Sequence, residues 1–181
     1  MFDSSVLVPQ HRNRVYIVAI RADIAAAPGF SFSWPSFPPG AGPSLASVLE
    51  PDAPDRYRLS RKQWAEVTRS AFYQKHPELR VPPLSGAANT LRASYRSGYK
   101  LYSQFVVVGN ADLNNDDDTA DASPVRFFTP RECARLMGFP DTFRVEADGV
   151  EEVSVYHALG NAVTPPIVRA IAKQILKAVG L

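Results

Sequence analysis

The apolar run Val-Tyr-Ile-Val-Ala-Ile at residues 15–20 constrains the fold of this chain more than any other segment. It is rich in β-branched residues and shows no polar alternation, which predicts a strand buried on both faces of an α/β sheet. Such a strand needs a neighbouring strand on each side. The chain offers too few other strand candidates to build that sheet, so we expect its partner strands to lie outside these 181 residues.

Composition excludes several classes of protein. Apolar residues make up 45% of the chain and charged residues 21%, which is enough to bury a core. No run of 18 apolar residues exists and the N-terminus lacks the pattern of a signal peptide, so we expect a cytoplasmic protein with no membrane contact. One cysteine and three dispersed histidines argue against a disulfide framework and a metal site.

The charge is unevenly distributed along the chain. Residues 56–100 carry ten basic and two acidic side chains, a net charge of +8, with aromatic residues interleaved. This pattern favours a polyanionic partner such as nucleic acid, although a solvated basic face would give the same balance. Residues 101–124 carry five aspartates and no basic residue. The polar acidic loop at 109–124 has a calcium loop as its functional interpretation, but the ligand spacing of an EF-hand is absent, which argues against a metal there.

Three segments carry helix signals. Ser60 with Gln63 predicts a capping box for a helix over 60–73, while prolines within 28–54 exclude a regular helix or central strand there. Thr129, Pro130 and Glu132 predict a capped helix over 129–137 that ends at Gly138, and a third helix is predicted over 164–178 with Thr164 as N-cap. Two strand-like stretches within 89–108, joined at residues 96–98, predict a β-hairpin.

Three motifs in order resemble the C-terminal signature of DNA cytosine-5 methyltransferases. The first is Val-Pro-Gln-His-Arg-Asn-Arg at 8–14, similar to the family's eighth motif. The second is Thr-Pro-Arg-Glu-Cys-Ala-Arg-Leu-Met-Gly-Phe-Pro at 129–140, similar to the ninth, and Gly-Asn-Ala-Val-Thr-Pro-Pro at 160–166 resembles the tenth. The resemblance implies a partial, Rossmann-like methyltransferase domain that uses S-adenosylmethionine, plus a small, mainly β target recognition domain.

The family transfers a methyl group to ring carbon five of a cytosine flipped out of duplex DNA, through a covalent intermediate. By resemblance, Arg14 would contact the flipped cytosine, Arg12 would orient the catalytic loop, and Gln10 would shape the DNA-side surface. Residues two apart on an extended segment point the same way, so the two arginines would form a forked cation pair. The alternative is a pair of solvated arginines at a strand edge.

The variable stretch of the family holds its recognition domain, and Thr90-Leu91 resembles that domain's typical Thr-Leu pair. The Thr90 hydroxyl would then bond a phosphate near the target. The predicted hairpin supplies candidate base readers, part of which would otherwise only cover the sheet: Arg92, Ser94, Tyr95, Arg96, Lys100, Tyr102 and Ser103.

The tenth motif would lie beside the cofactor pocket. Asn161 would hydrogen-bond near the amino-acid end of S-adenosylmethionine, while Ala162 and Val163 would line the pocket. A plain Gly-Asn turn before a helix is the alternative. Cys133 is not expected to be the nucleophile, because the family nucleophile follows a proline and this chain has no Pro-Cys pair. Inside a helix, Cys133 is predicted to be a small buried apolar residue.

The glycine-rich cofactor loop, the Pro-Cys-Gln nucleophile and the Glu-Asn-Val carboxylate of the family have no counterpart here. The resemblance thus predicts the C-terminal half of a prokaryotic or phage enzyme, inactive alone and completed by an N-terminal half on a separate polypeptide. A non-catalytic DNA-binding module, a truncated remnant or a protein-interaction domain are the alternatives. We expect residues 1–48 and 146–181 to belong to the catalytic domain and 49–145 to the recognition domain.

Overall fold

A three-stranded antiparallel sheet with helices around it organises the centre of the chain in the computed structural model, which describes residues 1–38, 40, 42–109, 122–146 and 148–181. The strands are β1 (Phe2–Asp3), β2 (Asn13–Arg14), β3 (Arg58–Ser60), β4 (Phe105–Val107) and β5 (Ala122–Phe127). The α-helices are α1 (Ala22–Ala25), α2 (Arg61–Thr68), α3 (Ala71–Lys75), α4 (Pro130–Met137), α5 (Glu152–Asn161) and α6 (Pro165–Ala178). Short 3-10 turns occupy Ser4–Val6, Leu45–Val48, Asp55–Tyr57 and Pro77–Leu79.

The sheet has the order β3-β5-β4, and Phe105 of β4 lies opposite Phe127 of the central strand β5. These two rings meet at 5.3 Å between centroids, and Trp64 and Tyr95 reach them at 5.8 Å each. Aromatic rings in such tilted pairs stabilise a core beyond the area they bury. The core therefore lies between the sheet, α2 and the segment around Tyr95.

The run at 15–20 is not the buried strand that its composition predicts. It follows β2, which pairs only with the two-residue β1, and residues 15–20 have no regular secondary structure. Val15 is 72% exposed and Ile17 is 89% exposed. A strand is buried on both faces only when neighbours flank it, and the described residues provide none at this position.

The predicted hairpin over 89–108 is also wrong. Residues 93–102 form turns, and only Phe105–Val107 is a strand. Side chains satisfy the backbone here instead of a ladder: the Gln104 amide accepts from Asn89 N–H at 2.7 Å and donates to Asn89 C=O at 3.1 Å. The segment therefore folds onto the start of β4 rather than pairing as a second strand.

Local sequence signals predicted the helices better than the strands. Ser60 and Thr129 both make full capping boxes, with Gln63 and Glu132 respectively, although the first predicted helix divides into α2 and α3. Gly138 ends α4 with a φ of 82°, a conformation that glycine adopts without strain. Thr164 stands at the N-cap of α6, but its side chain makes no cap hydrogen bond within the described structure.

Candidate DNA-facing site

Gln10 joins the first motif to the second from inside the protein. Its side chain is fully buried, its Nε2 donates to the carbonyl of Leu136 at 3.0 Å, and its Oε1 accepts from the Leu91 N–H at 2.7 Å. The expectation that Gln10 shapes the DNA-side surface is therefore wrong. It is a structural residue, because a buried amide needs partners for both its donor and its acceptor.

Arg12 and Arg14 do not form the expected forked pair. Arg12 is 4% exposed, and its guanidinium donates to the carbonyls of Leu91 (3.0 Å), Gly160 (3.0 Å) and Ala162 (2.9 Å). Burial, followed by the neighbouring Arg14 charge, lowers the pKa of Arg12. Arg14 is exposed and donates to the adjacent Asn13 carbonyl at 2.7 Å. One arginine holds the structure together, and the other is available to a ligand.

A groove of about 320 Å³ is lined by Asn13, the residue before Arg14, and gathers part of the predicted recognition surface. We call it the His11–Tyr102 groove, and it is lined by His11, Asn13, Phe72, Leu79, Arg80, Asn89, Thr90, Arg92, Tyr102 and Gln104. The Arg92 guanidinium stacks 4.5 Å from the Tyr102 ring centroid. A planar cation on an aromatic face is an arrangement that suits nucleic acid, which offers both phosphates and π-faces.

The Thr90 hydroxyl is engaged within the protein. It donates to the His11 carbonyl at 2.8 Å, which fixes the 89–92 segment against the first motif. The hydroxyl proton is therefore not free for the phosphate bond that the sequence predicts. A phosphate would have to displace the His11 carbonyl, or be bound by neighbouring groups of the groove.

Of the remaining predicted base readers, some lie near the groove and others are buried in the core. Ser94 stays near the groove through a 2.8 Å contact with the Tyr102 hydroxyl. Tyr95, in contrast, is 3% exposed and bonded at its hydroxyl to Gln104 C=O and Phe128 N–H. Its burial raises its pKa far above the usual value. Tyr95 is a core residue, and its assignment as a base reader is wrong.

Arg96, Lys100 and Ser103 also lie away from the groove lining. The Arg96 guanidinium packs 4.1 Å from the Phe127 ring centroid, and Lys100 pairs with Glu66 at 3.1 Å. Ser103 is buried and donates to the Tyr95 carbonyl. A flat hairpin would have placed these side chains on one surface. The turns at 93–102 instead place them in different environments.

The third motif ends α5 and begins α6. Asn161 is exposed, Ala162 is partly buried, and Val163 is 59% exposed. The Ala162 carbonyl accepts from Arg12, which ties this segment to the first motif. The hydroxyl of Thr164 is buried and finds no hydrogen-bond partner among the described residues. The segment thus presents the Asn161 amide, whose nitrogen lies 3.4 Å from the ring nitrogens of His157, next to the exposed side chain of Val163.

Cys133 has the environment of a packing residue. It is fully buried in α4, and desolvation, followed by the nearby Glu132, raises its pKa well above the usual thiol value. A thiol whose pKa is raised is not activated as a nucleophile. The prediction that Cys133 is a small buried apolar residue is confirmed.

Sequence reasoning missed two structural supports of the site. Arg80 is fully buried, and its guanidinium donates to the carbonyls of Tyr99, Lys100 (3.3 Å) and Ser103 (2.6 Å). Helix α5 was also missed: a β-carbon on Gly160 would lie 2.4 Å from the backbone nitrogen of Ala93. A glycine at such a close helix contact is a signal that only the tertiary structure reveals.

Among the described residues, no helix is long and apolar enough to span a membrane, and no group of His, Cys, Asp or Glu side chains is arranged to hold a metal ion. The acidic loop at 109–124, the weak calcium candidate, falls largely at 110–121, outside the described residues.

The family model described as C-5 cytosine-specific DNA methylase matches residues 4–177. The chain belongs to the C-5 cytosine-specific DNA methylase family. It is 29% identical over 178 residues to the type II methyltransferase M.NlaX of Neisseria lactamica, covering 92% of this chain and 48% of the relative. It is 30% identical over 171 residues to M.MspI of Moraxella sp, with 93% and 35% covered. The chain thus spans about half, or less, of these methylases.

Solved structures agree with this membership at the level of fold. The Dnmt2 methyltransferase of S. pombe aligns with a TM-score of 0.62 at 17% identity, over 99% of this chain and 55% of that one. The Entamoeba histolytica methyltransferase EhMeth aligns at 0.56 and 16% identity, with 96% and 49% covered. The predicted α/β class, a partial methyltransferase domain, is therefore confirmed for this chain.

Proposed function

We propose that this chain is the C-terminal part of a DNA cytosine-5 methyltransferase, with residues 8–14, 129–140 and 160–166 as its eighth, ninth and tenth motifs. The convergence of these segments supports the assignment. Gln10 bonds to Leu136 and Arg12 bonds to Gly160. A β-carbon on Gly138 would lie 2.6 Å from Pro166 and 2.9 Å from Val8, so all three segments meet at one glycine.

In this proposal, duplex DNA lies along the His11–Tyr102 groove with Arg14 at its edge. Arg14 is the exposed cation that would contact the flipped cytosine and stabilise charge there. Arg92 and Tyr102, stacked on each other, and Ser94 would read base edges or stack on bases. Arg12, which is buried, would act as a positioning residue, because it binds the carbonyls of Leu91, Gly160 and Ala162.

S-adenosylmethionine is the cofactor that family membership suggests, and the third motif is compatible with it. The exposed Asn161 amide offers a polar group to the amino-acid end of the cofactor, and Ala162 and Val163 offer apolar contact. When bound, the cofactor supplies the methyl group. The residues of this chain would form only one wall of its site.

A second polypeptide would supply the N-terminal half with the nucleophile. The exposed apolar run at 15–20 supports this, because Val15 and Ile17 carry strand-forming side chains in open solvent. The matched segment is only 48% of M.NlaX and 35% of M.MspI, so more than half of each relative lies outside it. In this arrangement, residues 1–48 and 146–181 would complete the catalytic domain, residues 49–145 would form the recognition domain, and the composite would act in the cytoplasm of a prokaryote or phage host.

Co-expression with an N-terminal half that carries Pro-Cys-Gln tests the proposal. We expect no transfer of labelled methyl groups to duplex DNA by this chain alone, and transfer by the mixture. Methylation by the purified chain alone would overturn the split arrangement. Duplex binding without turnover in every mixture would instead indicate a DNA-binding module or a remnant, and absence of duplex binding at low salt would indicate a protein-interaction domain.

A further inference from the structure

A second polar cavity, of about 350 Å³, lies on the recognition part of the chain and shares no lining residue with the His11–Tyr102 groove. Three arginines contribute to its wall: Arg56 from the 3-10 turn, Arg58 from β3 and Arg96 from the turns before β4. Gln63 and Ser97 add polar groups. We call it the arginine cavity. None of the functions discussed above uses it.

Two of these arginines keep donors that the protein does not satisfy. Arg96 packs its guanidinium on Phe127, and its Nη1 is buried without a hydrogen-bond partner in the described part of the chain. Arg58 donates from Nη2 to the Ser123 carbonyl at 3.3 Å, but its Nε is likewise buried and unpartnered there. Buried donors without acceptors are costly, so such groups call for an acceptor that the chain itself does not provide.

Carboxylates act on the cavity only from outside its lining, and the pKa of Arg56 is raised by its hydrogen bond to Tyr57 and, to a smaller extent, by the carboxylates of Glu152 and Glu146. No acidic side chain is among its described lining residues. The nearest carboxylate to Arg58 is that of Asp55, 3.8 Å from Nη1 and 91% exposed. Glu66 contacts the lining residue Tyr99 but also pairs with Lys100 at 3.1 Å. Guanidinium groups bind phosphate oxygens through two parallel hydrogen bonds, which makes a phosphate group the matching ligand.

We propose that the arginine cavity is a phosphate-binding site. The ligand is a phosphate oxyanion, and its source is either a backbone phosphate of bound DNA or a free phosphate ion. The proposal stands apart from methyl transfer, since it depends only on Arg56, Arg58 and Arg96 and not on the three motifs. The chain can thus fail to methylate and still bind phosphate here, or the reverse.

Calorimetric titration of the full chain with inorganic phosphate, at constant ionic strength, tests the site. We expect Arg96→Gln to weaken phosphate binding by about tenfold, the loss of one strong charge-assisted contact. Arg56→Gln, at an exposed position, should also weaken it and serves if Arg96→Gln does not fold. The matched control is Arg69→Gln at the exposed C-cap of α2, which should bind as the wild type does. Absence of binding to the wild type, or equal affinity in all variants, overturns the proposal.

Duplex binding distinguishes the two sources. If the ligand is a DNA phosphate, Arg56→Gln and Arg96→Gln lower duplex affinity and reduce the salt slope by about one relative to Arg69→Gln. If the ligand is a free ion, both variants lose phosphate binding yet bind duplex DNA as the control does. Either result supports the cavity as a phosphate site and names its source.

Discussion

At the scale of single residues, burial separates two arginines that the sequence pairs. Arg12 supplies its charged donors to three carbonyls inside the protein, whereas the Arg14 guanidinium donates to the adjacent Asn13 carbonyl and stays in solvent. A side chain can act on a bound base only if it reaches the surface. The motif pattern alone predicts a ligand contact for both arginines. Burial in the tertiary structure makes Arg12 a structural residue and leaves Arg14 accessible to a ligand.

Arg14→Ala should abolish methylation by the composite enzyme while leaving duplex affinity within about tenfold of the wild type, because its proposed contact is with the flipped base. The free energy of unfolding should change by less than about 0.5 kcal/mol, since the side chain is exposed. Single-turnover methylation and fluorescence anisotropy with a labelled duplex measure the two effects. Equal losses in binding and turnover would make Arg14 an ordinary phosphate contact.

Arg12→Ala is the contrasting change. It leaves the carbonyls of Leu91, Gly160 and Ala162 without their charged donor, so we expect a loss of about 3 kcal/mol in the free energy of unfolding. Urea unfolding followed by tryptophan fluorescence measures this loss. A variant as stable as Arg14→Ala would contradict the positioning role of Arg12.

At the scale of elements, some helices are stabilised by local signals and others by long-range contacts. Helix α4 has its capping box, a proline in the first turn and a terminal Gly138, and all of these act within the helix itself. Helix α5 has no side-chain cap in the described structure, and the buried Tyr156, whose hydroxyl donates to the Phe128 carbonyl at 2.7 Å, holds it. Helix α4 can therefore be predicted from the sequence, whereas α5 depends on a hydrogen-bond partner 28 residues away.

The buried carboxylate of Glu132 joins α4 to two other elements. It pairs with Arg126 of β5 at 2.8 Å and accepts the N–H groups of Thr129 and Glu50. Glu132→Gln should lower the free energy of unfolding by about 3–5 kcal/mol, because Arg126 would remain buried without its counter-charge. Urea unfolding measures the loss, and Glu151→Gln at an exposed position is the control. Two variants of equal stability would contradict this account of the pair.

At the scale of the whole molecule, the three motifs meet around Gly138 while the run at 15–20 stays open. The contacts among Val8, Gly138 and Pro166 join both ends of the chain, although these residues are far apart in sequence. The apolar side chains of Val15 and Ile17 face solvent on the same polypeptide. The three segments are therefore in contact with one another, whereas the run at 15–20 is the surface on which the proposed split arrangement can be tested.

Ile17→Asp should prevent assembly with the N-terminal half while leaving the isolated chain as stable as the wild type, because the side chain is already 89% exposed. Size-exclusion chromatography of the mixture and thermal unfolding of the chain alone measure the two properties. Leu101→Asp is the control, since Leu101 is 69% exposed on the recognition part. Normal assembly of Ile17→Asp would remove this run from the proposed interface.

The sequence alone determined those features whose causes are local. The capped helix α4, the capping box at Ser60 and the buried Cys133 all follow from short-range patterns. Only the tertiary structure decided whether the run at 15–20 finds strand partners, and whether residues 89–102 form a ladder or bond to the side chains of Gln104 and Arg80. Burial of Gln10, Arg12 and Tyr95 was decided there too. Each of these outcomes depends on groups distant in sequence, so no local pattern could determine it.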